Sequence, residues 1–264
     1  MWELQVLVAT MRQSDLSIVD NMNIRCDAVI ANQADRNSFD FCDGVKMITT
    51  TTRGVGLNRN IALLASDADI LLFADDDVVY YDNMPESVVG AFAAQPEADV
   101  IIFGMDMMKN GKIYDSRRSP SRRLHVWNAM RYGTYRIAIR RSSWLRANIL
   151  FNQNFGGGCA FSAGEDSLFL KACFDKGLRV YGHPYVLGTC AKDSSSWFTG
   201  HNEKYFYDKG VLMRHLFPRI HYLMAVYFGI RFKRETNLPA IIRVKLMFAG
   251  VKAGKTMTPY EEKA

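Results

Sequence analysis

Short apolar runs separated by polar turns set the pattern of the first hundred residues. LQVLVAT (4–10), DAVIANQ (27–33), VKMITTTT (45–52), ADILLFA (68–74) and ADVIIFGM (98–105) have the length and β-branched content of strands. Between them, SDLSIVDNM predicts a weak helix. GLNRNIALLAS (56–66) predicts a stronger one, with Leu57, Ile61, Leu64 and Ala65 on its inner face. Pro85 opens another helix through ESVVGAFAA. The unbroken apolar run of ADILLFA predicts a strand covered on both faces. Strand and helix alternating in this way predict an α/β fold built on an open, mostly parallel (mixed) sheet flanked by helices.

From about residue 105 the pattern loosens. KNGK predicts a turn, RRSPSRR (117–123) a basic loop, TYRIAIRR a short strand and SWLRAN a short helix. A long glycine-bearing segment, FNQNFGGGCAFSAGEDS, leads into the helix SLFLKACFDKG. Leu168, Phe169, Ala172 and Cys173 form its expected inner face, and Gly177 its cap. The strand LRVYGHPYVLG closes the region. These shifts divide the chain into 1–104, 105–210 and a tail, 211–264.

Charge changes the picture chiefly in that tail, which holds ten Lys/Arg against three acids, although the whole chain carries only +6. A nucleic-acid protein spreads its bases over the face that reads, so no nucleic-acid partner is expected. RHLFPRIHYLMAVYFGIRFKR (214–234) places bases around an eleven-residue apolar stretch, Ile220–Ile230. That is far short of the roughly 20 residues needed to span a bilayer. Together with IIRVKLMFAGVKAGK it predicts amphipathic helices suited to an anionic membrane surface, the alternative being helices packed on the main domain. The five cysteines include no CxxC pair, and MWELQVLVAT lacks a leader's basic start. Both point to a reducing, cytoplasmic setting.

The candidate chemistry is acidic. Asp75, Asp76 and Asp77 follow the buried fourth strand, where ligands sit in open α/β sheets. At about 5 Å each carboxylate pair repels by about 1 to 3 kcal/mol. A bound Mg²⁺ or Mn²⁺ turns that repulsion into attraction; the plain alternative is a solvated acidic turn. Glu165 and Asp166 begin the helix after the glycine segment. Asp166 there is either a helix cap or a general base facing a pocket. One acid group to hold a metal-bound phosphate and another to deprotonate a nucleophile make a displacement site.

These motifs, in order, resemble family 2 glycosyltransferases of the GT-A fold, of the kind that builds bacterial capsule, exopolysaccharide and O-antigen. The strand ending at Thr10, the ANQ closing the second strand, RGVGLNRNIAL, ADDDV as the DXD motif and GEDSLFLKACFDKGLRVY as the ED motif carry the likeness. SSSWFTGHNEKYFYDKG is similar to a segment that follows the last strand in capsule-type members. The resemblance covers about residues 3 to 210 and makes 1–210 the expected catalytic domain, with 1–104 its nucleotide half and 105–210 its acceptor half.

The resemblance implies an inverting transferase that moves a sugar from a metal-bound nucleoside-diphosphate donor to a glycan hydroxyl, with a polyprenyl-diphosphate-linked acceptor at the inner face of the plasma membrane. Thr10, Arg12, Asn32, Arg53, Arg59, Asp75 and Asp76 would serve the nucleotide sugar, and Asp77 with Asp75 the Mn²⁺ or Mg²⁺. The triplet fits the DXD pattern in two registers, leaving Asp76 unresolved between them. Asp166 would be the base and Glu165 would shape the acceptor site, with Gly157, Gly158 and Trp197 beside it. His183 and His201 are the histidines available as a further metal ligand, although neither sits in a ligand-spacing pattern. A sugar nucleotidyltransferase would need a glycine-rich basic loop where ATMRQSD stands. The remaining rival is a non-catalytic metal- or carbohydrate-binding scaffold.

Overall fold

The computed structural model describes residues 2–191, 200–232 and 236–261. Its ten strands are β1 (Leu4–Met11), β2 (Asp27–Gln33), β3 (Ser38–Cys42), β4 (Val45–Thr50), β5 (Ile70–Asp75), β6 (Val78–Tyr80), β7 (Val100–Lys109), β8 (Lys112–Arg117), β9 (Ile137–Arg140) and β10 (Val180–Ala191). They form one mixed sheet in the order β3-β4-β2-β1-β5-β9-β7-β10-β6, with β8 pairing β7. β4, β2, β1 and β5 run parallel, and β10 runs parallel to β7; the other pairings are antiparallel. Thr10 pairs with Asn32, and Ala9 with Asp75, so these strands reach one edge together.

Side chains alternate between two cores, as the strand period of two requires. Val6, Val8, Ile70, Leu72, Ile101 and Phe103 face one side. There they meet α1 (Ile18–Asn21) and α3 (Met84–Ala94), the latter entered through Pro85. Leu7, Leu71, Phe73, Val100 and Ile102 face the other. That side is covered by α2 (Val55–Ala65), α5 (Arg141–Ala147) and α6 (Glu165–Asp175). Between β8 and β9 lie α4 (Val126–Ala129) and a 3₁₀ turn, Thr134–Arg136.

The helix faces depart from the periodicity in an instructive way. α2 exposes Leu64 and buries Asn58, Arg59 and Asn60 beside Ala62 and Leu63. Polar bonds decide this orientation. Asn58 Nδ2 donates to the carbonyls of Thr10 (3.0 Å) and Ala31 (2.8 Å), and Asn60 bonds both backbone groups of Phe151. Those groups lie inside the protein, where an unmet hydrogen bond costs about 1 to 3 kcal/mol. In α6, Phe169 and Cys173 are buried as expected, but Leu170 replaces Leu168 and Ala172 at the centre. Gly177, at φ +76°, takes the left-handed conformation expected of a cap.

The chain ends in three helices, α7 (Glu203–Leu216), α8 (His221–Arg231) and α9 (Ala240–Ala253). α7 runs through residue 210. The helices share a core of Phe206, Val211, Leu212, Met213, Met247 and Val251, which also reaches Phe155 and Phe161 of the glycine segment. α7 and α9 touch backbone to backbone. A Cβ on Gly210 would lie 2.1 Å from the Met247 carbonyl oxygen, and one on Gly250 2.0 Å from that of Tyr207. α8 leaves Leu223, Tyr227 and Ile230 exposed. No helix among the described residues is long and apolar enough to cross a membrane.

Candidate active site

A cleft of about 710 Å³ opens beyond the ends of β1, β2 and β5, where an open sheet leaves room between diverging loops. Thr10, Asp75, Asp76 and Asp77 line it from the strand ends, and Glu165 and Asp166 from the start of α6. The two acid clusters, ninety residues apart in sequence, meet through one cation.

That cation is Arg59. Its side chain is 4% exposed, and the guanidinium lies 5.5 Å from the centre of the Phe151 ring. Phe151 is held in turn by Phe73 and Phe169, at ring separations of 5.2 and 4.1 Å. From this seat Nη2 donates to Asp75 Oδ1 at 2.7 Å, and Nη1 donates to Glu165 Oε1 and Asp166 Oδ1, both at 3.0 Å. Burial alone would disfavour the charged guanidinium. The charges of Asp75, Asp166 and Glu165 outweigh it and raise its pKa.

Asp166 is anchored a second time by Thr134, which is fully buried at the start of the 3₁₀ turn. The Thr134 hydroxyl donates to Oδ1, and its N–H donates to Oδ2 at 3.3 Å. Oδ1 therefore carries the two shorter bonds, and Oδ2 the one longer bond. Burial and the neighbouring Glu165 charge raise the Asp166 pKa, against the opposing pull of Arg59 and Thr134. A carboxylate with its pKa raised, whose Oδ2 accepts one long N–H bond and keeps a second lone pair, is equipped to accept a proton. Gly156, at φ +106°, keeps the space beside Glu165 clear, since a Cβ there would approach the Glu165 carboxyl carbon to 2.8 Å.

The aspartate triplet divides its work. Asp75 is tied to Arg59, while Asp76 Oδ2 accepts the Thr10 hydroxyl at 2.6 Å. Asp77 has no ion pair among the described residues. Its pKa is pushed up to about 6 by removal of water, then by the Asp75 charge, with a smaller contribution from Asp76; a hydrogen bond with Cys190 partly offsets these. Its side chain reaches solvent, but the cleft walls thin that solvent. Among the described residues no three His, Cys, Asp or Glu side chains form a closed metal cage. Mg²⁺ and Mn²⁺ at nucleotide sites need only one or two carboxylates plus phosphate oxygens and water, and a carboxylate destabilised by two like charges suits a dication. The residues present fit such an ion.

Several expected residues lie elsewhere. Asn32 is fully buried, its amide bonded to Gln13 and Thr49, because it ties strand ends together. Arg53 is at the surface, paired with Asp35 at 2.7 Å. Arg12 is exposed at φ +60°, and neither it nor Gly158 lines the cleft, although Gly157 does. His183 packs on the Phe103 ring and His201 on Tyr205, both away from the cleft lining. Trp197 lies outside the described residues. Thr134, Asn58, Cys190 and Lys209 line the cleft or bind its acids without any local sequence signal; only the return of distant segments brings them there.

Residues 16–161 match the family model described as Glycosyl transferase family 2. A search of curated protein sequences found no match. Among solved structures, S. aureus TarS 1-349 superposes with a TM-score of 0.57 at 13% identity, over 97% of this chain and 72% of that one. Its complex with UDP-GlcNAc gives 0.55 at 14%, over 97% and 73%. A further structure of S. aureus TarS gives 0.61 at 16%, over 88% of this chain and 44% of that one.

Proposed function

This chain belongs to glycosyl transferase family 2, and from that premise we propose that it moves a sugar from a nucleoside-diphosphate donor to a glycan hydroxyl with inversion at the anomeric carbon. The observation that carries this reading is Arg59, which links Asp75 of the donor edge to Glu165 and Asp166 across one cleft. The TarS complexes with UDP-GlcNAc and with UDP lend support to a nucleotide-sugar donor.

Asp75 and Asp76, fixed by Arg59 and Thr10, orient the donor at the ends of β5 and β1. Asp77, with the free oxygen of Asp75, would hold Mn²⁺ or Mg²⁺, which when bound neutralises charge on the departing diphosphate. Asp166 takes the acceptor proton on Oδ2 as the acceptor oxygen attacks the face opposite the diphosphate. Glu165 keeps Arg59 in place and shapes the acceptor side with Gly157. No side chain needs to act as a nucleophile.

The acceptor in this reading is a glycan on a polyprenyl diphosphate carrier, in bacterial surface polysaccharide synthesis at the inner membrane face. Supporting it, Leu223, Tyr227 and Ile230 of α8 and Ile241 of α9 are exposed, as are the bases Arg219, Arg231 and Lys245 near them in sequence.

Asp166→Asn tests the reading. Transfer and donor hydrolysis, followed by mass spectrometry across a panel of sugar nucleotides, should fall about 10²- to 10⁴-fold. Nucleoside diphosphate binding in Mn²⁺ should stay within about threefold, since the substitution spares the donor side. Equal loss of both would make Asp166 a structural cap. A wild type that retains glycans but binds no nucleotide would be a scaffold.

A further inference from the structure

Two of the arginines expected to serve the nucleotide sugar are not free to meet its diphosphate. Arg53 stands outside the cleft, and both Nη atoms of Arg59 are engaged by three carboxylates. A nucleoside diphosphate, or a lipid diphosphate, entering this acid-rich cleft still needs cations from the protein. Among the described residues, four basic side chains line the cleft: Arg59, Arg117, Arg131 and Lys209. Arg117 is paired with Asp115 at 2.9 Å.

Lys209 has no such partner. It projects from α7, half-buried, and its ammonium forms no hydrogen bond or ion pair among the described residues. Its one neighbour of note is the Phe228 ring, 5.2 Å from Nζ. Burial pushes its pKa down, the mark of a charge that lacks water and has no anion in exchange. The helix fixes its height in the cleft. Asp208, one residue before, accepts the Ser162 N–H at 3.0 Å and the Lys204 ammonium, and Leu212, one turn on, fills the space over Gly164. Lys209 thus stands beside the segment that delivers Glu165 and Asp166. Arg131 joins the same lining, lying over the Tyr132 ring at 5.3 Å with no carboxylate partner among the described residues.

We propose that Lys209, assisted by Arg131, is a phosphate-binding station on the α7 wall of the cleft. The station rests on the glycosyltransferase reading, because that reading brings a diphosphate to this wall. The phosphate has two sources, the donor's diphosphate or the diphosphate of a lipid-linked acceptor.

Calorimetric titrations of the full chain distinguish them. One arm uses UDP and GDP with Mn²⁺, the other farnesyl diphosphate. Lys209→Met keeps the stem and removes the charge, and should weaken one arm by about tenfold to a hundredfold. Lys209→Arg should bring it back to within about threefold. Loss in the nucleotide arm assigns the station to the donor, and loss in the farnesyl arm assigns it to the acceptor. Arg131→Gln, at an exposed position, should weaken the same arm by about fivefold and serves should Lys209→Met fail to fold. Unchanged affinities in both arms, with thermal melts matching wild type, overturn the station alone. A wild type that binds in neither arm overturns the station together with the reading beneath it.

Discussion

Thr134 donates its hydroxyl and its N–H to Asp166, yet nothing in TYRIAIRR distinguishes it from any threonine opening a strand. Its contribution has a definite sign. The Asp166 pKa is raised, so the working carboxylate is lost as pH falls through that raised value. Donation by Thr134 favours the charged form, so Thr134→Val should move the acidic limb of the kcat/KM profile upward by about half to one pH unit. Thr134→Ser should restore it, with the donor KM unchanged in both variants. A limb that stays in place would reduce Thr134 to a packing residue. Asp75, Asp77 and Asp166 are identifiable in the sequence as candidate acids. Which oxygen of Asp75 and of Asp166 is engaged is not, because Arg59 and Thr134 settle that from other elements.

At the scale of the element, two glycines in helices have opposite meanings. Gly250 of α9 and Gly90 of α3 both sit where alanine has the better intrinsic helix propensity, by about 1 kcal/mol. A Cβ on Gly90 meets nothing within 4 Å, so Gly90→Ala should stabilise by about 0.5 to 1 kcal/mol in urea melts. A Cβ on Gly250 would lie 2.0 Å from a backbone oxygen that cannot rotate away. Gly250→Ala should therefore destabilise by about 2 kcal/mol or more, spreading α7 from α9. Equal effects in the two helices would contradict the close crossing. The same logic explains α2, whose apolar spacing put Leu64 inside. A weak amphipathic preference loses to buried carbonyls and carboxylates that only Asn58, Asn60 and Arg59 can satisfy.

Across the whole molecule, the net positive charge is concentrated in the C-terminal segment, whose helices also expose apolar side chains. α8 and α9 contain no acidic residue, and α8 turns Leu223, Tyr227 and Ile230 outward. Interfacial helices bind through apolar insertion and attraction to anionic headgroups. Co-sedimentation with vesicles containing anionic lipid should thus exceed that with neutral vesicles and weaken as salt rises. Leu223→Asp with Ile230→Asp should abolish it without changing nucleotide affinity. Sedimentation indifferent to lipid charge, salt and both substitutions would refute the membrane role. Because α7 joins this helical unit to the cleft through Leu212 and Lys209, a surface held at a membrane would also set the orientation of the acceptor wall.

What the sequence by itself determined is local and periodic: the buried strands from LQVLVAT to ADVIIFGM, the aspartates at a strand end, the acids opening α6, and a C-terminal segment too short in apolar length to span a bilayer. Strand burial and helix starts depend on neighbours a few residues away, so they can be read from one window of chain. Tertiary structure decided the rest. It removed Asn32 and Arg53 from the cleft, placed Arg59 between three acids, and supplied Thr134 and Lys209 from segments 75 residues apart. A carboxylate's role depends on which charges and donors surround it within a few ångströms, and that neighbourhood exists only once the sheet and its crossings have closed.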